Sequence, residues 1–164
     1  MQADTFCRLA KRDTAIIDSG ASRYFVTKDA PKSNVDTSAP QTTVGTASGE
    51  PSKSSATCDL VIPNLPADFP KQALEMPGFH ESLVGIGPMC DADYTVKFTK
   101  HSVVIYSPTG IPVITGWRET EGNKLWRMSL LPDPDDIPEV ATPIEAEESN
   151  LGAFSAYNLP SVEA

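Results

Sequence analysis

The sequence predicts an all-β chain, and three observations carry that expectation. Fifteen prolines and ten glycines among 164 residues interrupt the chain too often for long helices. Between the interruptions lie short runs of β-branched and aromatic residues. In the second half these runs, at 94–98, 102–106, 111–115 and 125–130, recur at the spacing of short antiparallel strands.

The elements follow in order. Thr14-Ala15-Ile16-Ile17-Asp18 reads as a buried strand running into a turn at Ser19-Gly20. Tyr24, Phe25 and Val26 form the next strand. Residues 28–41 contain Pro31 and Pro40 among small polar residues and read as loop. Thr42-Thr43-Val44 resumes a strand. Residues 45–57 are small, polar and glycine-containing, as in the mobile tip of a β-hairpin. Asp59-Leu60-Val61-Ile62 is the returning strand, residues 63–70 are a proline-rich loop, and residues 73–76 are a strand fragment before Pro77-Gly78. From residue 94 the chain is a plain β-meander, with a turn at Ser107-Pro108-Thr109-Gly110.

Charge divides the chain. Its formal net charge is -9, yet residues 132–164 hold eight carboxylates and no Lys or Arg, so the first 131 residues are almost neutral. The expected organisation is therefore one β-domain over residues 1–131 and a disordered, acidic, proline-rich linker over 132–164. No basic stripe is present that would bind nucleic acid. No apolar run of about 18 residues is present that would form a helical membrane span. Cys7, Cys58 and Cys90 are odd in number and widely spaced, and only His80 and His101 could join them, so neither a zinc site nor a disulfide framework is expected. A reducing, intracellular compartment fits this cysteine usage. His80 and His101 read as surface turn residues, Trp117 and Trp126 as packing residues, and Asp91 and Asp93 as turn residues.

The chemistry lies in Ala15-Ile16-Ile17-Asp18-Ser19-Gly20-Ala21-Ser22. Apolar strand residues deliver a carboxylate to a strand end. Glycine then allows a tight turn and close approach of backbone N–H groups. The Ser19 and Ser22 hydroxyls can hold the loop. An Asp-Ser-Gly triplet by itself is often only a turn. An aspartate presented in this way works in a pair: two adjacent carboxyls share one proton, one activates water and the other polarises a carbonyl. The sequence holds a single such string, so the second Asp18 must come from another copy in a symmetric homodimer.

An ordered set of motifs points further. It comprises Asp18-Ser19-Gly20-Ala21-Ser22, then Thr46-Ala47-Ser48-Gly49, then Met76-Pro77-Gly78-Phe79-His80-Glu81-Ser82-Leu83-Val84-Gly85-Ile86-Gly87, and its continuation over residues 89–98. This set resembles the aspartic protease of copia-type retrotransposon polyproteins. Residues 115–130 resemble the segment that follows that protease, and residues 155–164 the approach to its pre-integrase region. The resemblance covers about residues 13–130 and the last ten. It implies a retropepsin-like closed β-barrel with a flap hairpin, a short β-meander behind it, and cleavage of the element's own polyprotein. Asp18 then matches the catalytic carboxylate, and Ser19 the hydroxyl residue that braces the two active-site loops across the dimer. Gly20, Ala21 and Ser22 complete the loop. Thr46, Ala47, Ser48 and Gly49 match the flap, and Leu83, Val84 and Gly85 the apolar-apolar-glycine element that supports the catalytic loop. No cofactor or metal is implied, and the partners are a second copy and a peptide or polyprotein substrate. The setting implied is the cytoplasm, including virus-like particles. Two rival readings stand beside the enzyme: a catalytically inactive β-domain that binds peptides or protomers, and a polyprotein fragment that acts only in assembly.

Overall fold

A computed structural model describes residues 10–131. The acidic linker and the motif at residues 155–164 lie outside the described residues. After a single 3-10 turn at Lys11–Asp13 come β1 (Thr14–Asp18), β2 (Tyr24–Val26), β3 (Ser33–Asp36), β4 (Thr43–Gly45), β5 (Pro51–Lys53), β6 (Ala56–Asp59), β7 (Gln72–Glu75) and β8 (Ser82–Gly85). A short helix α1 (Gly87–Asp91) follows, then β9 (Thr95–Phe98), β10 (Ser102–Tyr106), β11 (Pro112–Arg118) and β12 (Trp126–Ser129).

Ten strands form one mixed sheet in the order β3-β6-β7-β2-β8-β1-β12-β11-β10-β9, and β4 and β5 form a separate hairpin. The chain is mostly β, as expected. The sheet's terminal strands, β3 and β9, do not pair with each other, so the closed barrel of the sequence expectation is not found among the described residues. The meander is present in full: β9, β10, β11 and β12 are sequential antiparallel neighbours, and β12 then pairs with β1.

The centre of the sheet explains its sequence. β1 lies between β8, which is parallel to it, and β12, which is antiparallel. A strand covered on both faces needs apolar residues at successive positions rather than in alternation; Ala15, Ile16 and Ile17 supply them, with Ala15 and Ile17 buried and Ile16 half-buried. β2 separates two apolar clusters by its two-residue period. Tyr24 and Val26 join the main core with Ile17, Val84, Met89, Val103, Ile105 and Met128. Phe25 joins a smaller cluster with Leu74 and Met76, against which Ala21, Val44, Phe79 and Leu83 also pack. Full burial of one such side chain contributes roughly 1.5–3 kcal/mol.

Three elements depart from the sequence expectation. β3 lies inside the presumed loop 28–41; all four of its residues are exposed, and it is an edge strand held by its pairing with β6, so no apolar alternation marks it. The hairpin tip is shorter than 45–57, because Pro51–Lys53 pairs with Thr43–Gly45 and the strand β6 begins at Ala56. Proline is tolerated at the first position of such a strand. Helix α1 has no counterpart in the sequence expectation, which takes Asp91 as a turn residue; it is a single short turn opened by Gly87-Pro88, and proline at a helix start costs no hydrogen bond. Among the described residues no helix is long and apolar enough to cross a membrane.

Candidate functional site

Asp18 is the last residue of β1, half-buried, with its Cα registered opposite Gly85 of the parallel strand β8. On its other side β8 pairs antiparallel with β2. Strand β8 is thus threaded between β1 and β2, and the loop 19–23 that joins them crosses its end. The crossing is close. A Cβ on Gly85 would lie 2.3 Å from the Ala21 carbonyl oxygen and 2.6 Å from that of Arg23. The Gly85 N–H donates to the Arg23 carbonyl at 3.1 Å. Only glycine leaves room for this approach.

The Asp18 carboxylate accepts a hydrogen bond from the Gly20 N–H at 2.8 Å, and the Asp18 carbonyl accepts from Ala21 N–H at 3.3 Å. These backbone bonds shape the loop. The Ser19 and Ser22 hydroxyls, by contrast, make no hydrogen bond among the described residues. One support escaped sequence reasoning. The Thr27 N–H, just past β2, donates to the buried Ser82 hydroxyl at 3.0 Å, which ties β2 to β8 at the end away from the crossing. These residues are 55 apart in sequence, and no local pattern signals the contact.

The hairpin β4–β5 carries Thr46, Ala47, Ser48 and Gly49 at its tip. The Gly49 N–H donates to the Thr46 carbonyl at 2.9 Å, and the Thr46 hydroxyl donates to the Glu50 carbonyl at 2.7 Å. Gly49 has φ +86°, a left-handed conformation that suits glycine. Ala47, Ser48, Gly49 and Glu50 are exposed. The base of the hairpin is anchored. Buried Ser54 donates its N–H to the Thr42 carbonyl at 2.9 Å, and its hydroxyl accepts the Thr42 N–H at 2.8 Å. Ser55 donates its hydroxyl to the Glu75 carboxylate at 2.6 Å, and Lys32 pairs with the same carboxylate at 2.9 Å. Burial pushes Glu75 towards a higher pKa, but Ser55 and Lys32 outweigh it and hold the carboxyl below its ordinary value. Val44 of β4 and Ala21 of the Asp18 loop pack on the same small apolar cluster, which brings the hairpin base and the loop to one region of the fold.

Leu83, Val84 and Gly85 divide their roles by the strand period. Val84 is buried in the main core, Leu83 packs on the small cluster, and Gly85 lies beneath the loop. On the far side of β1, Arg127 of β12 bridges Glu81 and Glu119, with its Nε 2.7 Å from Glu119, and reaches the Thr14 hydroxyl at 3.4 Å. His80 and His101 are exposed. Cys58 and Cys90 form no disulfide among the described residues, and burial raises Cys58 to about 11. Among the described residues no group of His, Cys, Asp and Glu is placed to hold a metal ion.

Comparison with protein-family profiles finds no match, and none of the curated proteins compared with the chain matches it.

Proposed function

We propose that this chain is one half of a retropepsin-like aspartic endopeptidase of the copia retrotransposon kind, completed by a second copy of itself. The observation that carries the reading is the threading of β8 between β1 and β2. It presents the Asp18 carboxylate at a strand end beneath a loop that only Gly85 accommodates. The anchored hairpin β4–β5 supports the same reading as a flap, because its base shares an apolar cluster with the Asp18 loop. Ser19, whose hydroxyl has no partner within the described chain, is available to brace the loop of the second copy.

In the dimer the two Asp18 carboxyls sit close enough to share a proton, because two adjacent carboxylates resist double ionisation. They titrate as a unit. The ionised member takes a proton from water while the protonated member donates to the peptide carbonyl oxygen. The water oxygen bonds to the carbonyl carbon, and the C–N bond breaks as a proton passes to the leaving amine. The partly exposed rim of the small cluster, Ala21, Val44, Phe79 and Leu83 over the buried Phe25, Leu74 and Met76, offers the apolar wall for substrate side chains.

The test is peptide cleavage at mildly acidic pH, with and without a transition-state inhibitor of aspartic peptidases. Inhibitor-sensitive cleavage that rises per mole with protein concentration is expected. Cleavage indifferent to the inhibitor, or none at any concentration, overturns the reading.

A further inference from the structure

We propose that Arg23 makes the Asp18 site prefer peptides with a carboxylate side chain close to the scissile bond. This inference rests on the endopeptidase reading above. Its first support is position. The Arg23 carbonyl accepts the Gly85 N–H at 3.1 Å, and Gly85 is the register partner of Asp18. Asp18 and Arg23 therefore flank one glycine from opposite sides of β8. Two interstrand steps put their backbones about 10 Å apart, a span that an extended peptide covers with about three residues.

The second support is direction. Tyr24 and Val26 enter the main core, whereas Phe25 enters the small cluster with Ala21 and the hairpin residue Val44. Arg23 itself is in the bend just before β2, flanked by Ala21 and Phe25, both of which pack in the small cluster. That is the side on which the substrate lies under the endopeptidase reading.

The third support is availability. Arg23 is exposed and makes no ion pair among the described residues, whereas Lys11, Arg12, Lys32 and Arg127 are each paired with a carboxylate. A guanidinium presents a planar fork of donors that matches a carboxylate in two parallel hydrogen bonds. The chain itself carries peptide of this chemistry, since residues 132–150 hold seven carboxylates and no cation.

The experiment uses the full chain and peptide pairs that differ only in Glu or Gln at one position near the cleaved bond. One pair is drawn from residues 132–142. The quantity read is the Glu/Gln ratio of kcat/KM for each protein, so a general loss of activity in a variant cancels. The parent chain is expected to favour the Glu peptide by roughly three- to fivefold at one position, the range of a solvent-accessible ion pair, and less at high salt. Arg23→Gln is expected to bring the ratio to about one, Arg23→Glu to invert it, and Arg23→Lys to keep part of it. A ratio near one for the parent at every position, or a Glu preference that survives Arg23→Glu, overturns the inference while leaving the endopeptidase reading intact. If the parent cleaves neither peptide of any pair, the endopeptidase reading falls and this inference falls with it.

Discussion

Gly85 lies so close under Ala21 that a single added methyl would stand 2.3 Å from the Ala21 carbonyl oxygen. Backbone, unlike the end of a long side chain, cannot swing aside. Gly85→Ala is therefore expected to push the loop 19–23 off β8, with a cost of about 1–3 kcal/mol and a large loss of peptide cleavage. Urea unfolding and cleavage assays on the same preparation check this; an alanine variant with parental stability would mean that the crossing is looser than described.

Asp18→Asn keeps an oxygen that can accept the Gly20 N–H, so the loop retains its shape. It removes the group that takes the proton from water. Hydrolysis is expected to fall by at least about a hundredfold with little change in melting temperature. Parental cleavage rates in the asparagine variant would sink the assignment of Asp18.

The Arg127 bridge gives the fold a pH signature. Burial raises the Glu119 carboxyl, but hydrogen bonds from Arg127 and the Leu125 N–H outweigh it, and its pKa lies below the ordinary 4.5. A carboxyl lowered by folding stabilises the fold fully above its unfolded value, and that contribution disappears as pH falls through the folded value. Glu119→Gln should thus be less stable than the parent near neutral pH, by about 1 kcal/mol for this partly exposed pair. The difference should shrink as pH drops below about 4.5. Denaturation midpoints from neutral to strongly acidic pH measure it; a gap that stays constant across that range would remove Glu119 as the cause.

Amide exchange should divide the hairpin. Residues 47–50 are exposed, while Ser54 and Ala56 are buried and bonded into their neighbours. Fast exchange is expected at the tip, with marked protection from Ser54 onward, and slowing at the tip when an inhibitor binds. Equal protection across 46–56 in the free protein would argue against a lid.

The parts of the fold that were legible in the sequence are those whose signal is local. The Ile16-Ile17-Asp18-Ser19-Gly20 string announced both β1 and its turn, and apolar runs announced the meander, with β10 at Ser102–Tyr106 as expected. What escaped depends on partners far along the chain. β3 is a strand only because β6 pairs with it. The bridge from Arg127 to Glu81 and Glu119 joins residues whose spacing carries no pattern, and the place of Leu83-Val84-Gly85 beside the Asp18 loop was expected only through the family resemblance, not from spacing. An exposed arginine after a loop looks in sequence like any other solvated charge, and only the place of Arg23 beside Gly85 sets it apart.

The pairing of β1 with β12 bears on timing. The Asp18 strand is synthesised before its neighbours on either side, β8 and β12. Until Trp126–Ser129 has emerged, one edge of β1 has no partner, and Leu130 cannot donate to the Asp13 carbonyl as it does at 2.7 Å in the finished chain. Pairings this distant in sequence form slowly. A nascent chain arrested before Trp126 is thus expected to leave the Asp18 loop sensitive to added protease, and one extended past Leu131 to protect it. Under the proposed reading, the Asp18 site is then fully seated only after the meander has been made.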